Sequence, residues 1–148
     1  MCSTDHQNHG GLMKDFICGN DYWSLIPNGI YEAQCTKYDN KFILGKTKKI
    51  FLTFRIVSLG EHEGKEIFQA FNMPYDGKIK TGSKYYKTWC MVNGWHKPSR
   101  NAKMSPRIFL NKIYKIKSRT TKPKHDGKEM PQDFWYSVVD EIIEVMAG

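Results

Sequence analysis

The basic residues between positions 107 and 124 are arranged in a way that suits the binding of a polyanion. The stretch RIFLNKIYKIKSRTTKPK alternates bulky apolar side chains with cations and contains no acidic residue. At the two-residue period of a strand, Lys115, Lys117 and Arg119 share one face, whereas Tyr114 and Ile116 share the other. The sequence therefore predicts a strand whose outer face tracks phosphate groups and whose inner face places Tyr114 and Ile116 in the core.

Aromatic residues add a second kind of chemistry. Phe, Trp and Tyr make up 14% of the chain, and rings beside cations favour single-stranded nucleic acid, because rings stack on unpaired bases while cations contact phosphates. The candidate stacking residues are Phe51, Phe68, Tyr75, Tyr85 and Trp95. The candidate phosphate contacts are Arg55, Lys84, Arg100, Arg107, Lys112, Lys115, Lys117 and Arg119. For any single ring, core packing explains the residue equally well, so the hypothesis depends on the whole set.

The charge distribution agrees with this hypothesis. The 148-residue chain carries a net charge of +8, and 21 of its 23 Lys and Arg residues lie between Cys35 and His125, among only five acids. After His125 the balance reverses, with six acids and one lysine. A solvated charged surface is the alternative explanation. The length and the 40% hydrophobic content predict one compact domain.

Nothing in the sequence predicts catalysis. The closest pair of acids in the basic part, Glu61 and Glu63, lies in a predicted hairpin turn, and two-metal nucleases need a larger cluster of carboxylates. There is no phosphate-binding loop, nucleophile elbow or zinc-deaminase signature. Cys2, His6, His9 and Cys18 have side chains that can bind zinc, but their spacing matches none of the common zinc frameworks. We therefore expect no catalytic residue, no metal and no cofactor.

Two features indicate a cytoplasmic protein. The N-terminus lacks the basic and apolar regions of a signal peptide, and no apolar run approaches the length needed to span a membrane. The four cysteines are irregularly spaced, which fits reduced thiols.

Hydrophobic periodicity predicts a flexible leader over residues 1–20 and a mainly β domain over residues 21–148. Three strands are predicted in IYEAQCTKY, KIFLTFRIVS and KEIFQAFNM, with a turn in KYDNKFILGKTKK between the first two. In the second strand, the predicted core face consists of Ile50, Leu52, Phe54 and Ile56, and the other face carries Phe51 and Arg55.

A helix is predicted over KYYKTWCMVN, with Ser83 as its N-cap and Gly94 just past its end. Tyr86, Trp89, Cys90 and Asn93 recur at helical spacing on its predicted packing face. The basic strand of residues 107–124 follows. The C-terminal segment DFWYSVVDEIIEVMAG predicts a short strand at 134–136 running into a helix, with a fifth strand as the alternative.

This order of elements is that of an OB-fold, a five-stranded barrel with a helix between strands 3 and 4. The segments IPNGIYEAQC, SKYYKTWCMVNGWHKPSR, SPRIFLNKIYKIKSRT and WYSVVDEIIEVMAG resemble the small single-stranded DNA-binding proteins encoded by phages, plasmids and other mobile elements. The resemblance implies an accessory protein of replication or recombination that binds single-stranded DNA largely without sequence preference. It departs from the cellular members, which carry a Gly/Pro-rich linker and a very acidic tip.

Two alternatives stay open. RNA is one, because stacking and phosphate contacts are largely indifferent to the sugar unless a 2′-hydroxyl is read. The other is a protein-interaction module that modulates a host factor. Replication or recombination proteins and a second copy of the chain are further candidate partners, and no membrane association is expected.

Overall fold

Five strands form a closed ring in the computed structural model, which describes Phe16 and residues 23–43 and 47–148. They are β1 (Ile30–Ile43), β2 (Thr47–Ile56), β3 (Glu66–Met73), β4 (Ile113–Thr121) and, after a small hairpin of β5 (Lys124–His125) and β6 (Lys128–Glu129), β7 (Tyr136–Ala147). Around the ring the order is β1, β2, β3, β7, β4. All pairings are antiparallel except that of β3 with β7, where Phe68 lies opposite Val138.

The interior of the ring is filled by the alternate apolar residues of its strands. Ile50, Leu52, Phe54 and Ile56 are all buried, which confirms the core face predicted for β2. Tyr114 and Ile116 of β4 are fully buried, also as predicted. The inward residues of the strands fill this core, so the outward residues of β2 and β3 are not needed to fill it.

The helix α1 (Lys84–Val92) follows β3 and precedes β4 in the chain, and it closes one end of the ring. Ser83 caps it as predicted, since its hydroxyl oxygen accepts a hydrogen bond from the backbone N–H of Tyr86 at 3.2 Å. Gly94 follows the helix with φ of 73°, a left-handed conformation that glycine adopts without steric cost.

The packing face of α1 differs in part from the predicted one. Trp89 and Cys90 are buried as expected, but they are joined by Tyr85 and Val92 rather than by Tyr86 and Asn93. The Tyr85 ring lies 5.4 Å from that of Phe71 and 6.0 Å from that of Phe109, and its hydroxyl donates to the Met104 carbonyl. Tyr85 is only 1% exposed, so its assignment as a base-stacking residue was wrong.

Three predicted element boundaries are also wrong. Residues 39–43, predicted as a turn, continue β1, because β2 supplies a partner for each of them up to Ile43 opposite Thr47. Residues 107–124 are not one strand: Pro106–Phe109 form a 3-10 turn capped by Ser105, and β4 begins only at Ile113. The predicted C-terminal helix is absent, since Tyr136–Ala147 form a single strand.

Two buried serines fasten the segment before β1 to the ring. The Ser137 hydroxyl accepts a hydrogen bond from the Ile26 N–H at 2.9 Å and lies 3.1 Å from the Ile26 carbonyl, to which it donates. Ser118 accepts from the Gly29 N–H at 3.0 Å. These bonds fix the position of residues 24–29 against β7 and β4, and therefore that of Trp23, the next residue outward.

The predicted leader of residues 1–20 lies outside the described residues, apart from Phe16, and so does the zinc hypothesis. Among the described residues, no helix has the length and apolar character required to cross a bilayer.

Candidate functional site

Four aromatic rings meet on the outer surface of β2, β3 and β7. Phe68 of β3 is at the centre: its ring centroid lies 5.6 Å from that of Phe51, 5.9 Å from that of Tyr136 and 4.6 Å from that of Trp23. The rings of Phe51 and Tyr136 are close to parallel with that of Phe68, at 3° and 23°. We call these four residues the aromatic row. All four are half-buried, so each keeps part of its surface in solvent.

Strand register explains why these rings come together. Phe68 lies directly opposite Thr53, so Phe51, two residues away on the same face of β2, is its diagonal neighbour. Tyr136 begins β7, two residues before the bridge between Val138 and Phe68. The row therefore runs across the strands from β2 to β7.

Cations border the aromatic row at both ends. Lys49 and Arg55 alternate with Phe51 along the outward face of β2. At the β7 end, the Lys122 ammonium lies 4.4 Å above the ring centroid of Trp135, the residue before Tyr136. Two acids stand on the same face, since Glu66 is opposite Arg55 and Asp39 is opposite Phe51 in register. The combination of half-exposed rings and flanking cations suits a ligand that has flat apolar faces joined by anionic groups.

The cations of β4 have a different environment. β4 pairs with β7, whose acids lie alongside: Lys115 forms an ion pair with Glu144 at 3.3 Å, and Arg119 forms one with Asp140 at 3.0 Å. Lys117 lies opposite Glu141 in the same register. The predicted C-terminal helix would have placed these acids elsewhere, and for that reason the sequence did not indicate the pairing.

The ring order places β4 beside only one end of the aromatic row, the end on β7. β1 lies between β4 and β2, and β7 lies between β4 and β3, so no cation of β4 is a direct neighbour of Phe51 or Phe68. At the β7 end, however, Arg119 lies opposite Val138, which is itself opposite Phe68. The structure therefore brings together Phe51, Phe68 and Arg55 from the predicted set, leaves Arg119 at the β7 border of the aromatic row, and places Lys115 and Lys117 further along β4, opposite Glu144 and Glu141.

The remaining predicted residues lie around α1 and its loops. Trp95 is 74% exposed and lines a groove between α1 and β7, with Lys84 at the same groove donating to the Asp140 carbonyl at 2.6 Å. The Lys112 ammonium donates to the Ile108 carbonyl at 2.8 Å. Tyr75 and Arg100 are exposed in loops, and Arg107 is exposed in the 3-10 turn Pro106–Phe109.

Sequence reasoning missed four members of this surface: Trp23, Lys49, Tyr136 and Lys122. The sequence did contain a signal for Tyr136 and Lys122. Both flank the turn-rich segment between the last two long strands, and a short connection between antiparallel strands places its two ends side by side. The sequence contained no such signal for Trp23, since the position of Trp23 depends on the buried hydrogen bonds of Ser137.

The ionisable side chains inside the ring are shielded from this surface, since Cys35 and Tyr114 are both fully buried. No three His, Cys, Asp or Glu side chains converge in a metal-binding arrangement within the described ranges. Burial raises the pKa of the Cys35 thiol to about 12, which makes it a poor nucleophile near neutral pH. Burial likewise raises the pKa of the Tyr114 hydroxyl, which donates to the Phe109 carbonyl.

Comparison with protein-family models gives no match for this chain, and comparison with curated proteins gives no similar relative.

Proposed function

We propose that the protein binds single-stranded DNA, largely without sequence preference, through the aromatic row. The observation that carries the proposal is the position of four half-exposed rings outside a closed sheet whose interior already has its own core. Apolar rings left at the surface cost free energy in water unless a ligand covers them.

In this mechanism the ligand is bound without any chemical step. Bases stack on Phe51, Phe68 and Tyr136, and each stacked base contributes about 1–3 kcal/mol. Lys49, Arg55 and Lys122 contact the phosphates between them. Ring faces and phosphates distinguish bases poorly, so the preference for sequence is slight. A duplex hides its base faces, so single strands bind better than double strands.

The architecture supports an OB-fold as the frame for this site. The closed ring has the strand order β1, β2, β3, β7, β4, with a helix between the third and fourth of its long strands. OB-folds bind oligonucleotides on the face of strands 2 and 3, and the aromatic row occupies that face. A role in replication or recombination of a mobile element follows from the resemblance given above and is part of the proposal.

The test is a titration of fluorescently labelled oligo(dT), monitored by anisotropy, with a DNA hairpin duplex and oligo(rU) as competitors. We expect oligo(dT) to bind more tightly than the duplex at the same salt concentration. Equal affinity for duplex and oligo(dT) would overturn the stacking mechanism, and tighter binding of oligo(rU) would identify RNA as the ligand.

Two variants locate the site. Phe51→Ala should weaken oligo(dT) binding by about 5- to 150-fold, the equivalent of one lost stacked base, with little change in the salt dependence. Trp95→Ala is the matched control, because it removes an exposed ring that lines the α1–β7 groove instead. If both variants lost the same affinity, the aromatic row would not be the binding platform.

A further inference from the structure

A groove without acidic residues begins where β2 borders the loop after β3. Its first part, about 180 Å³, is lined by the start of β2 and the end of β3, including Lys48, Lys49 and Met73. Its second part, about 720 Å³, lies between the loop after β3 and the loop after α1, and includes Lys78, Tyr86 and Lys103. Gly77 and Ile79 line both parts, so the two are adjacent. We call the whole the basic groove.

The basic groove differs from the β4 surface in its charge. Four lysines line it, Lys48, Lys49, Lys78 and Lys103, and no Asp or Glu is among its lining residues. The nearest acid in sequence is Asp76, whose carboxylate accepts a hydrogen bond from the Lys78 backbone N–H at 2.9 Å, and residues 77–125 contain no acid. A concave surface that carries one sign of charge concentrates the field and attracts anions.

The groove is continuous with the aromatic row. Lys49 lines the groove, and Phe51 lies two residues further along the same face of β2, a separation of about 7 Å. A chain that stacks a base on Phe51 therefore has its next phosphates at the groove entrance.

We propose that the bound single strand leaves the aromatic row past Lys49 and continues through the basic groove, where Lys78 and Lys103 contact its phosphates. This inference depends on the proposed function and extends it, because it assigns a second, purely electrostatic segment to the same binding track. Polar side chains in the second part, Ser99 and Asn101, add hydrogen-bond donors to the phosphate oxygens. The site then has a stacking half and a phosphate half, so its length exceeds that of the sheet face.

The experiment compares a short and a long oligonucleotide. A (dT) oligomer of about 5 nucleotides fits on the sheet face, whereas one of about 16 nucleotides is long enough to enter the groove as well. The variant is Lys78→Gln/Lys103→Gln. The control is Lys65→Gln/Lys87→Gln, which removes the same charge from the β2–β3 turn and from the α1–β7 groove.

For the long oligonucleotide, the groove variant should flatten the log–log salt slope by about 0.7 × 2, or roughly 1.4 units. The control variant should leave this slope near that of the wild type. For the short oligonucleotide, all three proteins should give similar slopes.

The two proposals fail in different ways. If the wild type does not bind either oligonucleotide, the proposed function is wrong. If the wild type binds, but the groove variant has the wild-type slope or behaves like the control on the long oligonucleotide, the groove is not part of the track and the inference is overturned alone.

Discussion

The ion pairs on β4 lead to a quantitative prediction about where phosphate binds. The change is Lys115→Gln/Lys117→Gln/Arg119→Gln, which removes every outward cation of β4 between residues 115 and 119 and lowers the net charge from +8 to +5 (8 − 3). If each cation contacted a phosphate, the salt slope on a single strand would flatten by about 0.7 × 3, or roughly 2 units. Between 50 and 200 mM salt, that difference amounts to about 16-fold in relative affinity.

The structure predicts a smaller effect. Lys115 and Arg119 are already within 3.3 and 3.0 Å of carboxylates, and Lys117 lies opposite another. A cation that must leave a carboxylate in order to meet a phosphate releases few counterions, so we expect the slope to change by less than about 0.5 unit. The assay is the titration of oligo(dT) at four or more salt concentrations.

A charge-balanced control separates local contacts from overall attraction. Adding Asp140→Asn, Glu141→Gln and Glu144→Gln to the triple variant restores the net charge of +8. We expect this protein to regain wild-type affinity. A slope flattened by about 2 units in both variants would refute the argument from ion pairing and would make β4 the phosphate track. The ion pairs themselves are half-exposed, so a double-mutant cycle on Arg119 and Asp140 should give a coupling of about 0.2–1 kcal/mol.

Three further predictions concern the fold. Gln69 is 2% exposed, and its amide has no hydrogen-bond partner among the residues that the structure describes, so Gln69→Met should raise the free energy of unfolding in urea by about 1–3 kcal/mol; a lower value would show that the amide is satisfied in solution. Ser137→Ala should lower it by about 1–3 kcal/mol because the buried Ile26 N–H loses its acceptor, whereas the exposed Ser99→Ala should change it little. Because burial raises the pKa of Cys35 to about 12, iodoacetamide at pH 8 should leave Cys35 unmodified in peptide maps of the native protein and modify it after denaturation; rapid native labelling would contradict this.

The parts of the fold that follow from local pattern could be predicted from the sequence. The alternation in β2 identified its buried face, and Ser83 and Gly94 identified the limits of α1. The strand β7 could not be predicted in the same way, because Val138, Val139 and Ile142 fit both a helical and an extended period. Its conformation is decided by pairing with β4, which local sequence does not contain.

The candidate site was predictable only in part for the same reason. Phe51, Phe68 and Arg55 were found because they alternate with core residues on two neighbouring strands. Whether a cation is available to bind a phosphate depends instead on the residue opposite it in the neighbouring strand. The carboxylate partners of Lys115 and Arg119 are 29 and 21 residues away in the sequence. Tyr85 was predicted to stack on a base but is buried, because an aromatic residue on a short helix is equally consistent with exposure and with the core.

The pairing of β4 with β7 has a consequence for how the chain folds during synthesis. β7 contacts both β3 and β4, so the ring closes only after residues 136–147 have emerged. Until then β4 presents an unpaired edge, which is a template for association with another chain. At that stage Lys115, Lys117 and Arg119 have not yet met their carboxylates, and their mutual repulsion opposes pairing of β4 with a β4 strand from a second nascent chain. We therefore expect these cations, which lie beside the acids of β7 in the folded protein, to oppose aggregation of the incomplete chain.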